Sequence, residues 1–140
     1  MRRRLTGVEV VTIGDELLSG ATLERNAATI ARRLEPIGLR VTRMTTVGDD
    51  AAQIAEAVRS ALQRSGAVIT TGGLGPTEDD VTRSAVAATF GRALEFREDL
   101  WRALRARWAR RGTIPETNRA QAEVPVGAAV FPNRRGTAPG

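Results

Sequence analysis

The chain alternates between two hydrophobic rhythms. Val8-Glu9-Val10-Val11-Thr12-Ile13 is a β-branched, near-continuous apolar run ending at Gly14. Such a run predicts a central parallel strand. Over residues 25–34, Ala27, Ile30, Ala31 and Leu34 fall on one helical face, and Pro36 and Gly38 end the helix. Residues 39–47 alternate apolar and polar positions with Met44 out of phase, which predicts a less buried, more lateral strand. Gly48-Asp49-Asp50 follows, and either Asp can cap a helix whose stripe is Ile54, Ala57, Val58, Ala61 and Leu62. Ser65-Gly66 stops that helix. Ala67-Val68-Ile69-Thr70 then reads as a short buried strand, and residues 81–90 as a third helix.

The second half is less periodic. Ala93-Leu94-Glu95-Phe96 reads as a short extended piece. Residues 98–111 predict a helix with Leu100, Trp101, Leu104 and Trp108 on one face, solvated Arg102, Arg105 and Arg110 on the other, and Gly112 as its stop. Residues 116–122 suit one or two helical turns, and Ala128-Ala129-Val130-Phe131 a strand. Three strand–helix repeats in a row give a doubly wound α/β pattern, with ligands at the carboxyl ends of the strands.

The link between the short buried strand and the third helix is Gly72-Gly73-Leu74-Gly75-Pro76-Thr77, followed by Glu78-Asp79-Asp80. A glycine turn there frees backbone N–H groups to face a phosphate. Acids beside it would repel a bare phosphate but suit one bridged by a divalent cation. The bland alternative is a capping box formed by Thr77 and Asp80, with acids complementing the helix dipole. The loop matches neither a Walker sequence nor G-x-G-x-x-G. Asp15-Glu16 and Asp49-Asp50 lie at two further strand ends, so the fold is expected to gather three acidic segments on one rim.

Composition narrows the chemistry. The 140 residues contain no His and no Cys, which excludes Ser-His-Asp triads, Cys nucleophiles and the usual zinc sites. There is no Lys or Tyr either, so all 21 basic side chains are Arg, and acid–base or metal work falls to Asp and Glu. Carboxylates favour hard cations such as Mg²⁺. The net charge of +5 raises the question of nucleic acid, but the arginines are scattered and aromatics are few, which speaks against it. No apolar run is long enough to span a membrane, and Met1-Arg2-Arg3-Arg4 leads into no long apolar segment, so the expected location is the cytoplasm.

Several segments carry a family resemblance: Val11-Thr12-Ile13-Gly14-Asp15-Glu16-Leu17-Leu18-Ser19-Gly20, Val47-Gly48-Asp49-Asp50, residues 72–82, Pro115-Glu116-Thr117-Asn118-Arg119-Ala120-Gln121-Ala122, and Asn133-Arg134-Arg135-Gly136-Thr137-Ala138-Pro139-Gly140. In this order they resemble the MoaB/Mog molybdopterin-binding domain family, in its branch at the N-terminus of CinA, the competence/damage-inducible protein. The resemblance implies a three-layer α/β/α sandwich with a mostly parallel central sheet, assembled as a homo-oligomer. It places the catalytic acids on Asp49 and Asp80. Phosphate or nucleotide contacts fall on Gly72, Gly73, Gly75, Thr77, Asn26, Asn118, Arg119, Gly136 and Thr137, and a divalent cation on Asp15, Glu16 and Asp79.

The implied activity is metal-dependent cleavage of the pyrophosphate of ADP-ribose. The alternatives are binding or adenylylation of molybdopterin, and a non-catalytic binding or assembly module. Where the family often has an Asp/Asn-Thr-Asn triplet, Glu24-Arg25-Asn26 keeps only the Asn. The family also continues beyond Gly-Thr-Ala-Pro-Gly into another strand and a Pro-Gly-Pro-Pro loop. Residues 1–140 are therefore expected to form a single domain, truncated at its C-terminal end, with weak or no activity by itself and a tendency to self-associate. The resemblance extends to the separate deamidase domain of a full CinA only in name, so that activity is not expected of residues 1–140.

Overall fold

A computed structural model describes Leu5 and residues 7–140; the basic run at residues 1–4 lies outside the described residues. The first strand, β1 (Gly7–Ile13), is the middle of a three-stranded parallel sheet. It pairs with β2 (Arg40–Val47) on one side and β3 (Val68–Thr71) on the other. Burial explains the order. Residues 8–14 are buried without a break, whereas β2 keeps an alternating, largely exposed pattern suited to an edge. The β1–β2 register shifts between Val8 and Glu9, leaving Thr42 unmatched.

The first helix, α1 (Asp15–Leu18), is a single turn that follows β1 after Gly14. Next, α2 (Asn26–Leu34) packs on β1 and β2, and a 3-10 turn at Glu35–Ile37 ends on left-handed Gly38. The longest helix, α3 (Ala51–Ser65), is capped by the Asp50 carboxylate on the Gln53 N–H (2.8 Å) and closed by left-handed Gly66. It packs with α4 (Thr82–Thr89) against β1. Val11 and Ile13 meet Ile54, Val58, Ala61 and Ala85 in the main core. Strand alternation turns Val10 and Thr12 to the opposite face, which α2 covers. The result is three layers, as the sequence pattern implies.

A smaller cluster completes the structure. A two-stranded antiparallel sheet joins β4 (Leu94–Phe96) to β5 (Glu123–Pro125), beside α5 (Glu98–Trp108) and a 3-10 helix at Glu116–Ala122. Trp101, Leu104 and Ala122 form its core, with Phe96, Leu100 and Ile114 packed on them. The strand expected at residues 128–131 does not form. Ala128 N–H closes a turn on the Pro125 carbonyl around left-handed Gly127, and Pro132 has no N–H to extend a ladder. Only Phe131 pairs, exchanging both backbone bonds with Gly140 (2.7 and 3.0 Å). Among the described residues, no helix is long and apolar enough to cross a membrane.

One ionic contact lies far from any strand end used by the site. Glu9, 3% exposed within β1, accepts two hydrogen bonds from Arg64 at the end of α3 (2.9 and 2.8 Å), with Arg43 4.0 Å away. The Arg64 hydrogen bonds hold its carboxyl below the ordinary glutamate range, against the opposing effect of burial.

Candidate functional site

Because the three strands run parallel, their carboxyl ends share one edge. Ile13 leads into Asp15, Val47 into Asp49, and Thr71 into Gly72. Gly14 N–H donates to the Val47 carbonyl (3.0 Å), tying the first two ends together. Asp15 and Asp49 then bind each other reciprocally. The Asp15 N–H donates to Asp49 Oδ2 (3.0 Å), and the Asp49 N–H to Asp15 Oδ1 (3.1 Å). With α3 capped by Asp50, Asp49 is free of that duty. One oxygen of each carboxylate positions the pair. A Cβ built on Gly73 would sit 3.4 Å from Asp49 Oδ1, so that oxygen faces the glycine loop.

The loop is shaped by what its carbonyls do. Thr82 Oγ1 donates to the Gly72 carbonyl (2.8 Å), and Thr82 N–H to the Gly73 carbonyl (3.2 Å). Arg83 donates to the Leu74 carbonyl (2.6 Å) and to the Gly75 carbonyl (3.1 Å). Gln121 Nε2 also reaches the Leu74 carbonyl (3.4 Å). All four carbonyls are thus turned toward the protein. Across each planar peptide the N–H points opposite to its C=O. Among the described residues nothing accepts from the Gly73 or Leu74 N–H. The loop therefore presents backbone donors beside a pair of carboxylates, an arrangement suited to a phosphate and its cation.

Two glycines are required by this geometry. Gly72 has φ +96°, and a Cβ there would run into the Ile13 carbonyl. Gly73 has φ +61°, and a Cβ there would collide with Thr82 Oγ1. Gly75 lies against the Asp80 carboxylate. The loop is thus flanked by Asp49 at Gly73 and by Asp80 at Gly75.

Asp80 is committed to its own turn. Its Oδ2 accepts from the Thr77 N–H (2.9 Å) and from Thr77 Oγ1, while its N–H bonds the Thr77 carbonyl (3.1 Å). This is one half of the capping-box pattern, but the helix begins only at Thr82 and its first turn holds no acid. Residues 78–80 form the turn before α4, so the capping-box alternative, with its acids on the helix dipole, does not describe them. Burial raises the Asp80 carboxyl. The Thr77 bonds, the Gly75 N–H and nearby Arg83 outweigh it, and the net shift is downward. Burial lowers the Arg83 guanidinium, opposed by the charges of Asp80 and Glu123.

Other expected residues divide into groups. Asn26 Nδ2 donates to Thr71 Oγ1 (2.9 Å), beside an open cleft of about 200 Å³ lined by Thr12, Glu16, Thr22, Glu24, Arg25, Asn26 and Gly72 among others. Glu24 accepts from the Asn26 and Ala27 N–H groups, so it caps α2. Asn118, 4% exposed, turns inward and donates to Gln121 Oε1 (2.9 Å), and Thr137 Oγ1 accepts from Gln121 Nε2 (2.9 Å). Arg119 lies 4.2 Å above the Phe96 ring and 3.2 Å from Glu116, committed to the smaller core. Gly136 N–H donates to Asn133 Oδ1 (3.1 Å), within a loop that Asn133 organises.

Asp15, Glu16 and Asp79 do not assemble into a cation cage. Asp79 is exposed in the turn, and among the described residues no three His, Cys, Asp or Glu converge on one point. The pair Asp15–Asp49 is what the fold brings together. Sequence reasoning missed Thr82, Arg83 and Gln121. Thr82 and Arg83 lie just past the acidic turn, after Val81, and Thr82 and Gln121 sit inside motifs already singled out, yet nothing in their spacing reveals what they bind.

The chain matches the family model described as "Probable molybdopterin binding domain" over residues 9–139. It is 53% identical over 135 residues to a CinA-like protein of Gemmatimonas aurantiaca, covering 95% of this chain and 32% of the relative. A CinA-like protein of Synechococcus is 47% identical over 136 residues, covering 96% and 32%. The chain thus spans about a third of the length of these curated relatives. Among solved structures, the protein CinA of Thermoplasma acidophilum superposes with a TM-score of 0.86 at 36% identity, covering 96% of this chain and 79% of that one. The molybdopterin biosynthesis enzyme MoaB of Thermus thermophilus shares the fold, with a TM-score of 0.56 at 21% identity, covering 84% and 70%. With the strand-end carboxylates, the glycine loop and the CinA-like segments in one fold, the chain belongs to the molybdopterin-binding domain family, among its CinA-like members.

Proposed function

We propose that this domain binds a nucleoside diphosphate sugar of the ADP-ribose type and cleaves its pyrophosphate with a divalent cation. The observation that carries the reading is the reciprocal Asp15–Asp49 pair, with Asp49 Oδ1 turned to a loop whose Gly73 and Leu74 N–H groups have no protein acceptor. The donor set fits the ion. Mg²⁺ commonly takes one or two carboxylates and completes its shell with substrate phosphates and water. Asp15 and Asp49 each keep one oxygen for that purpose. When bound, the cation would draw charge from the phosphate oxygens and lower the pKa of a bound water.

The protein's own residues supply the rest. The loop N–H groups receive the phosphate oxygens and stabilise the negative charge that grows as water adds to phosphorus. Asp80 and Thr77 hold the far end of the loop. The cleft bounded by Asn26, Arg25 and Glu24 adjoins Gly72 and offers polar groups to the ribose or base. Hydrolysis adds water across one P–O–P link and yields AMP and ribose 5-phosphate.

The name of the family favours a second ligand, a molybdopterin, for the same loop and cleft. One experiment separates the two. ADP-ribose is incubated with the protein and Mg²⁺ or Mn²⁺, and AMP release is followed by ³¹P NMR, with Asp49→Asn alongside. AMP formation that drops roughly ten- to a thousandfold in Asp49→Asn, the scale of one lost electrostatic stabiliser, supports hydrolysis. No AMP formation, together with tight binding of a pterin phosphate, replaces this reading by the second.

A further inference from the structure

An arginine next to a phosphate loop is ordinarily assigned to the anion. The donors of Arg83 are directed elsewhere. Its Nη1 and Nη2 grip the Leu74 and Gly75 carbonyls (2.6 and 3.1 Å) from the second residue of α4. Thr82, one residue earlier, holds the Gly72 and Gly73 carbonyls (2.8 and 3.2 Å). Successive residues of one helix therefore claim four successive carbonyls of the loop. A loop this rich in glycine has no side chains to hold its own peptide planes. Left alone, its peptides could flip and present carbonyls, which repel phosphate, where donors are needed.

We propose that Arg83 is a positioning residue of the phosphate loop: it locks the Leu74 and Gly75 peptides with their carbonyls inward and does not touch the bound anion. Its charge is used within the protein, beside Asp80 and Glu123. A Lys could offer only a compact ammonium in place of the fork that spans both carbonyls. This rests on the phosphate reading of the loop given above. It adds a division of labour within α4: Thr82 sets the two peptides that carry the Gly73 and Leu74 N–H donors, and Arg83 holds the next two, keeping the Leu74 and Gly75 carbonyls from turning toward the anion.

Three readouts test it. In ligand-free protein, the amide signals of Gly73, Leu74 and Gly75 are expected to shift and broaden in Arg83→Met, and less so in Arg83→Lys, while β1 and α3 signals stay in place. ADP-ribose affinity is expected to fall at least about tenfold in Arg83→Met, on the scale of one lost charged hydrogen-bonding partner. The wild-type-to-variant ratio should stay constant from low to high salt, because a carbonyl clamp is not screened as an ion contact with phosphate is. A ratio that collapses at high salt, with unchanged loop amides in ligand-free Arg83→Met, would overturn the proposal and make Arg83 a direct anion contact. If wild-type protein binds no ADP-ribose, the pyrophosphate reading falls, and the ligand-free amide spectra still decide the role of Arg83.

Discussion

Gly73 and Gly91 share the same backbone angle, φ +61°, but differ in surroundings: nothing lies within 4 Å of a Cβ at Gly91, whereas one at Gly73 would meet Thr82 Oγ1, Thr82 Cβ at 3.3 Å and Asp49 Oδ1 at 3.4 Å. Replacing each by Ala separates strain from crowding. Both variants adopt a left-handed conformation at a cost of about 1–2 kcal/mol, partly offset by about 0.4–1 kcal/mol from a stiffer unfolded chain. Gly91→Ala should therefore lose no more than about 1.5 kcal/mol. Gly73→Ala must also displace the Thr82 hydroxyl from the Gly72 carbonyl. Thr82 is 1% exposed, so the freed groups have no water to turn to. Breaking such a buried bond adds about 1–3 kcal/mol. Urea denaturation of both variants reads the difference directly, and ADP-ribose titration should show Gly73→Ala weakened while Gly91→Ala matches wild type. Equal destabilisation of the two, or undiminished ligand affinity in Gly73→Ala, would refute the crowding argument and with it the claim that the loop's shape sets its donors.

Two further outcomes follow from the contacts. Gln121→Leu removes the donor shared by the Leu74 carbonyl and Thr137 Oγ1 and strands the buried Asn118 amide, so it should cost about 1–3 kcal/mol in denaturation and raise KM for ADP-ribose. The Glu9 carboxyl is held down in the folded state, so its stabilisation is fully present above the ordinary glutamate pKa and is lost as pH falls through the lower folded value. Melting temperatures measured below about pH 4.5 should fall more steeply in wild type than in Glu9→Gln; parallel curves would show that the pair adds no pH-dependent stability.

Legibility followed periodicity. β1, α2, α3 and the α5 stripe of Trp101 and Leu104 were readable because strand and helix periods, with Gly38 and Gly66 as stops, are local signals. The strand expected at residues 128–131 failed at its own flanks: apolar composition gave a candidate, but a turn at Gly127 and the missing N–H of Pro132 removed the ladder. Glu9 was hidden inside an apolar run because its partners lie on β2 and α3, far along the chain. In the site, glycines and acids were visible as residue types, but their allegiances were not. Asp49 and Asp50 are equivalent in sequence, and only the fold shows Asp50 spent on a helix cap while Asp49 meets Asp15.

The same distinction separates Asp49 from Asp80, which the resemblance treats as a catalytic pair. Each flanks the glycine loop, and each is an aspartate at the end of a strand–loop unit. Asp80 accepts both Thr77 donors on Oδ2, and these bonds fix the turn and favour its ionised form. Asp49 spends one oxygen on the Asp15 N–H and directs the other to the loop. Both lone-pair positions of Asp80 Oδ2 thus serve its own turn, whereas Asp49 Oδ1 faces the loop with no protein donor among the described residues. On the proposed phosphate reading the work divides between them: Asp15 and Asp49 would meet the arriving charge, while Asp80, Thr82 and Arg83 hold the loop in shape.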